Sequence, residues 1–262
     1  MSRILTLIYG VLSYAVFLAV FLYAIGFIGG FVTPTALDGP VTRPPAQALA
    51  INLGLLAVFA IQHSGMARPA FKRWWTRIVP VAAERSTYVL VSSLLLVGFF
   101  VLWEPIGGVV WQVPDGPRRL AVIGLYLFGW ALLLYATFLI DHFDLFGLTQ
   151  VWRRMTDQSY RAPKFHTPGL YRLVRHPLYV GWLIIFWAAP VMTVAHLIFA
   201  VMTTAYILIA IQFEERDLVT AFGQTYLDYR RRTPMLVPRL LPSSRDRDSL
   251  AHPVRTRPVG RP

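Results

Sequence analysis

The chain has 262 residues, of which 56% are hydrophobic and only 15% charged, with a mean hydropathy of +0.53. A soluble domain is about a quarter charged, so the composition excludes an ordinary soluble globule and points to an integral membrane protein whose surroundings are lipid. The formal charge of +12 lies in short basic blocks between apolar runs, a pattern of membrane orientation and not of nucleic-acid binding, and the lack of cysteine removes disulfides, thiolate metal sites and cysteine nucleophiles.

In chain order, hydropathy predicts an all-α membrane fold of about six spans, near 4–31, 46–66, 86–103, 119–140, 177–192 and 195–213. The first follows Arg3 and lacks a small-residue cleavage site, so it reads as a retained helix. The last two are short, are parted by a bend near Pro190–Thr193, and read as a tight helical hairpin. With the N-terminus inside, six alternating spans leave 22 of the 25 lysines and arginines on one side and only Arg43, Arg118 and Arg119 on the other. That asymmetry predicts a multi-pass protein of the cell membrane with both termini cytoplasmic.

Thr167 and Pro168 suit the cap and first position of a short helix, which should end at Arg175–His176 because Pro177 disfavours helical geometry before it. Leu218, Phe222, Tyr226 and Tyr229 recur at helical spacing and predict an interfacial amphipathic helix over 214–232. Arg230, Arg231 and Arg232 complement its C-terminal dipole and reach toward anionic headgroups. Residues 1–238 read as one domain, and 239–262, rich in Pro, Ser and Arg, as a basic disordered tail.

This topology brings four polar stretches to one depth. His63 and Ser64 lie near the inner end of the second span, and Asp141, His142 and Asp144 at the inner end of the fourth. Arg175 and His176 lie at the inner start of the fifth, and Glu214 and Glu215 at the inner end of the sixth. Each has a plain account when taken singly. Arg175 and His176 can anchor to headgroups, the glutamates can begin a solvated helix, His63 can be a satisfied bundle residue, and the aspartates can pair with Arg153 or Arg154. Their coincidence at one membrane boundary favours a functional site. His166, His196 and His252 receive no role.

The stretch GLYRLVRHPLYVGWL (169–183), followed by EERDLVTAFGQTYLDYRRRTPMLVP (214–238), resembles the integral-membrane methyltransferases, which include isoprenylcysteine carboxyl methyltransferase and phospholipid methyltransferase. QHSGMARPAFKRWW (62–75), ERSTYVLVSS (84–93) and IDHFDLFGLTQVW (140–152) are similar to the methanethiol S-methyltransferase family within that group, with NnrU proteins a more distant likeness. The resemblance implies methyl transfer from S-adenosylmethionine to methanethiol, a small thiol, giving dimethyl sulfide and S-adenosylhomocysteine, with no metal. It also implies that the RHPxYxG and Glu-Glu stretches enclose the cofactor. Carried over, these are Arg175, His176, Tyr179 and Gly181, then Glu214 and Glu215, with Tyr226 and Tyr229. No GxGxxG follows a strand-like segment, in keeping with a cofactor site of non-Rossmann type.

An acceptor thiol must lose its proton, because the thiolate is the nucleophile. The candidate bases are His142 first, oriented by Asp141 or Asp144, then His63, then His176 if the cofactor leaves it free. Two rival readings stand beside this one. The first is another acceptor, such as an isoprenylated carboxylate, a phospholipid amine or a different small thiol. The second is an NnrU-like or haem redox protein, in which His63 and His142 would have to face each other.

Overall fold

The computed structural model describes residues 2–160 and 165–239. The sequence-predicted tail beyond 239 lies outside the described residues. Among the described residues five helices are long and apolar enough to cross a bilayer: α1 (Arg3–Gly29), α2 (Pro45–Ala67), α4 (Val81–Leu102), α5 (Pro117–Leu139) and α9 (Val194–Phe222). Short helices α3 (Pro69–Trp75), α6 (His142–Leu145) and α7 (Leu148–Met155) connect them, and α10 (Gln224–Arg232) ends the described chain. The protein is thus a mostly helical, multi-pass membrane protein.

The predicted fifth span is where the structure departs most from expectation. Helix α8 runs only from Pro177 to Trp187, 11 residues, about 16 Å at 1.5 Å per residue and about half of a hydrocarbon core. The chain then continues in extended form into β2 (Val191–Thr193), which pairs antiparallel with β1 (Val109–Gln112) in the connection between α4 and α5. The fold is therefore not purely helical. An extended segment exposes backbone groups that lipid cannot satisfy, and here side chains from other elements meet them. Trp111 Nε1 donates to the Ala189 carbonyl at 3.1 Å, and His196 Nε2 reaches the Phe186 carbonyl at 3.1 Å. His196 is in turn held through Nδ1 by Asp38 at 2.8 Å, so its place in the fold is structural.

Close packing supports the half-length helix. Gly129 on α5 and Gly181 on α8 face each other, and a Cβ on Gly181 would stand 2.9 Å from Leu133 Cβ and 3.0 Å from the Gly129 carbonyl oxygen. Small residues at a helix crossing let two backbones approach where lipid provides no hydrophobic drive. Gly181, carried over above as a cofactor contact, stands in this close contact between α5 and α8. Around this crossing lies one apolar core that includes Phe27, Phe99, Trp130, Ile185 and Phe199.

Two further boundaries differ. Helix α9 does not end at 213 but continues unbroken to Phe222, so Glu214 and Glu215 sit inside a helix and not at the start of one. Gly223, at φ 55°, turns the chain into α10, and the interfacial helix begins there instead of at 214. The expected short helix before Pro177 is a single 3-10 turn, Gly169–Arg172, preceded by Pro168.

Contacts gather several connections at one end of the bundle. Arg3 pairs with Asp157 at 2.6 Å, Arg68 with Asp217 at 2.9 Å, and Ser86 Oγ donates to the Gly147 carbonyl. The β1–β2 pair and the Asp38–His196 pair lie at the other end.

Candidate active site

The motif that opens α8 is built around one buried carboxylate. Pro177 starts the helix and leaves His176, the residue before it, in a non-helical conformation (φ −126°, ψ 61°). The backbone N–H groups of Arg175 and His176 consequently point away from α8, and they donate to the carbonyls of Pro234 and Met235 at 2.9 and 3.2 Å. The chain after α10 is thereby stitched across the start of α8. Beneath this seam, Glu215 Oε1 accepts from Arg175 Nε at 2.6 Å and His176 Nε2 at 3.1 Å, and its Oε2 lies 3.3 Å from Arg230 Nε. Arg175 also donates to the Thr233 carbonyl at 2.5 Å. Glu215 and His176 are both buried. A buried carboxylate is tolerated only when charge and lone pairs are both answered, and here two guanidinium groups and an imidazole answer them.

Glu214, one residue earlier on the same helix, differs in kind. A step of about 100° along the helix turns it out of the ion-pair cluster. Its side chain is 45% exposed, and Tyr179 Oη donates to its Oε2 at 3.0 Å. The nearer nitrogen of His176 stands 3.9 Å away. Glu214 is the carboxylate of the pair that has acceptor capacity to spare.

A second feature of the cluster is a hydroxyl with nothing to bond. Tyr226, on α10, is 1% exposed, and its Oη has no hydrogen-bond partner among the described residues. It lies within electrostatic reach of Glu215, Arg175 and Glu214, and its pKa is pushed up by burial and then by Glu215. Tyr229 is raised to about 12, chiefly by burial, and its hydroxyl donates to the Tyr171 carbonyl at 2.6 Å. Phe165 packs against Phe222, Tyr226 and Tyr229 and completes an aromatic wall on this side.

His63 and Ser64 on α2 each bond a tyrosine of another helix. Its ring nitrogens lie 2.9 and 3.0 Å from Tyr88 Oη on α4, and Phe59 stacks on its face. Ser64 bonds Tyr206 of α9 at 2.9 Å. Tyr88 and Tyr206 both stand within electrostatic reach of Tyr179. His63 is thus bonded to Tyr88, and Tyr179 to Glu214, as two separate polar pairs. Tyr88 and Tyr206 were not singled out from sequence, since an aromatic residue in an apolar helix ordinarily packs. The adjacent Gln62, His63 and Ser64 were the available sign that this face of α2 is polar.

His142 lies elsewhere. It sits among Tyr14, Phe138, Phe143 and Phe146, stacked on Phe138 at 4.4 Å. The Thr137 hydroxyl donates to the Leu134 carbonyl at 2.7 Å, so His142 Nδ1, 2.8 Å from that oxygen, is the donor of their bond. Nε2 then accepts from Tyr14 Oη at 2.8 Å. Burial lowers the pKa of His142, against a weaker opposing effect of Asp141. The expectation that Asp141 or Asp144 orients the ring is corrected, because Thr137 does so. Asp141 caps the N–H of Asp144 at 3.0 Å, and Asp144 is bonded by Gln150 and Tyr160. Burial raises the Asp144 pKa. Among the described residues His63 and His142 have no bonding or ring partner in common.

Across 261 residues the chain is 50% identical to methanethiol S-methyltransferase 2 of Bradyrhizobium diazoefficiens, with 100% of this chain and 99% of that protein covered. The chain belongs to the methanethiol S-methyltransferase family. It is 51% identical to the methanethiol S-methyltransferase of Crocosphaera subtropica over 91% of this chain and 93% of that one. It is 50% identical to the Mycobacterium tuberculosis protein of the same name over 91% and 98%. Within this member of the family, residues 121–225 match the phospholipid methyltransferase family, a stretch from α5 into α10 that contains Arg175, His176, Glu214 and Glu215. His63 and Tyr88 lie outside it. No solved structure matches the chain.

Proposed function

We propose that the protein transfers a methyl group from S-adenosylmethionine to methanethiol, producing dimethyl sulfide, with both termini and the active site on the cytoplasmic side of the cell membrane. The observation that carries this reading is the near-complete, 50% identity to proteins named for that reaction. The residues present fit the cofactor. Glu214 offers a half-exposed carboxylate to hydroxyl or amino groups, Tyr226 a buried hydroxyl in need of a partner, and Tyr179 an aromatic face that can meet a cationic centre. When bound, the sulfonium supplies an activated methyl group that a thiolate displaces.

The rest of the work falls to the chain. Glu215, Arg175, His176 and Arg230 lock one another and fix the start of α8 against α9, which holds Tyr179 and Glu214 in place. Alignment of this kind is worth up to about 7–11 kcal/mol in displacement reactions. His63, hydrogen-bonded to Tyr88, takes the thiol proton. His142 is held at both nitrogens by Tyr14 and Thr137 and keeps the connection after α5 folded. The half shared with phospholipid methyltransferases then serves the donor, and α2 and α4 serve the acceptor.

Purified protein given S-adenosylmethionine and methanethiol should evolve dimethyl sulfide, measurable by gas chromatography. Product formation only from longer thiols would overturn the substrate and leave the reaction class. His63→Ala should lower turnover far more than it weakens S-adenosylhomocysteine binding, whereas His142→Ala should chiefly lower thermal stability. The reverse pattern would hand the proton to His142.

A further inference from the structure

At the end of the bundle that bears Arg3, a cavity of about 620 Å³ opens between the starts of α1 and α4 and the α7 connection. It lies apart from the Glu214–Glu215 cluster and shares no lining residue with it. Its walls include Val81 and Ala82, the first two residues of α4. Pro80 precedes them and supplies no side-chain cap, so their N–H groups have no intrahelical partner. Arg85 lines the same wall one turn on and makes no hydrogen bond or ion pair among the described residues. Arg3, paired with Asp157, lines the cavity too, as do Arg154 and Glu84, so three guanidinium groups stand against two carboxylates there. Arg85 and the first N–H groups of α4 favour an anion.

A different group asks for something else. Gln150, 7% exposed, spends its amide nitrogen on Asp144, and its Oε1 is buried without a partner beside the cavity. That oxygen needs a donor, which a bare anion lacks and a hydroxyl provides. The third observation is apolar. A groove of about 460 Å³ adjoins the cavity at Gln158, which lines both, and runs along Leu7, Val11, Phe143, Leu148 and Trp152. Leu7 lies one helical turn from Arg3, so α1 passes directly from the charged cavity into the groove. Val11, Phe143 and Trp152 are about half exposed there.

We propose that cavity and groove together bind one anionic phospholipid with a hydroxylated head, such as phosphatidylglycerol. Its phosphate meets Arg85 and the α4 N-terminus, a head hydroxyl donates to Gln150 Oε1, and one acyl chain lies along Leu7 and Val11. A headless phosphate answers the first contact only, and a choline head has no hydroxyl for the second.

Native mass spectrometry of the detergent-purified chain tests this with phosphatidylglycerol and phosphatidylcholine of matched acyl chains, and with glycerol 3-phosphate. One phosphatidylglycerol should be retained about tenfold more tightly than phosphatidylcholine, the scale of one charge-assisted contact set. Arg85→Gln should abolish that preference, and Val11→Trp, at an exposed position, should fill the groove and release the lipid while glycerol 3-phosphate still competes for the head cavity. Equal retention of the two lipids, or an unchanged preference in Arg85→Gln with an unchanged melting midpoint, overturns the proposal. Binding of glycerol 3-phosphate without retention of phosphatidylglycerol would assign the cavity to a free phosphate ester instead.

Discussion

Two neighbouring glutamates carry opposite duties, and substitution separates them. Glu215→Gln leaves Arg175, His176 and Arg230 without their shared anion and should cost about 3–5 kcal/mol of stability. Glu214→Gln should leave the melting midpoint nearly unchanged and weaken S-adenosylhomocysteine about 10–100-fold by calorimetry, the loss of a bond to a charged acceptor. Tyr226→Phe gives a third signature. It removes a buried hydroxyl with no protein partner, so the unliganded protein should become more stable by about 1 kcal/mol while cofactor binding weakens. His142 contributes a pH dependence. Burial holds its pKa below 6.5, so the native ring is neutral where the unfolded chain takes up a proton. Its stabilisation is complete above pH 6.5 and is lost as pH falls from there toward the native value. Asp144, raised by burial, acts in the opposite sense, losing stability as pH rises. Thermal midpoints of wild type and His142→Gln at pH 7 and pH 5 isolate the histidine, and the variant should lose less on acidification. Charged residues at this scale were legible from sequence because lipid boundaries make them conspicuous. Which glutamate faces inward was not, since that depends on where α9 ends. Nor was the pairing of Arg230 Nε with Glu215 at 3.3 Å.

At the level of elements, hydropathy found every long helix but could not measure the fifth crossing. The run 177–192 is apolar throughout, and an apolar run reads alike whether it is helical or extended. What cuts α8 short is tertiary: Trp111 and His196 supply donors for the Ala189 and Phe186 carbonyls, and β1 supplies a strand partner. Trp111 is far from α8 in sequence, and His196 lies beyond β2 on the next helix. The motif around Gly181 suggested a ligand, and its contact within the fold is with α5. Gly181→Val places a branched side chain against Leu133 and the Gly129 carbonyl, where no flexible atom can yield. It should destabilise the protein by about 1–3 kcal/mol, or more if α5 and α8 part, as read from the thermal midpoint.

For the whole molecule, charge asymmetry speaks to orientation and contacts to which connections meet. Arg3 and Asp157 meet at one end, as do Arg68 and Asp217, and Arg175, Glu215 and Arg230 of α10. The chain contains no cysteine, so single cysteines report cleanly on sidedness. An impermeant maleimide added outside intact cells should label Asp115→Cys, between β1 and α5, and should reach Asp157→Cys only after the cells are opened. The opposite pattern would invert the topology. The half-length α8 bears on how such a molecule is made. Eleven residues are too few for a translocation channel to release sideways into lipid as an independent segment. Its entry into the bilayer must then wait until the longer α9 has emerged from the ribosome and can carry it in. A chain halted after Thr193 would leave the RHP segment in water, so a helix synthesised after α8 decides whether α8 enters the membrane.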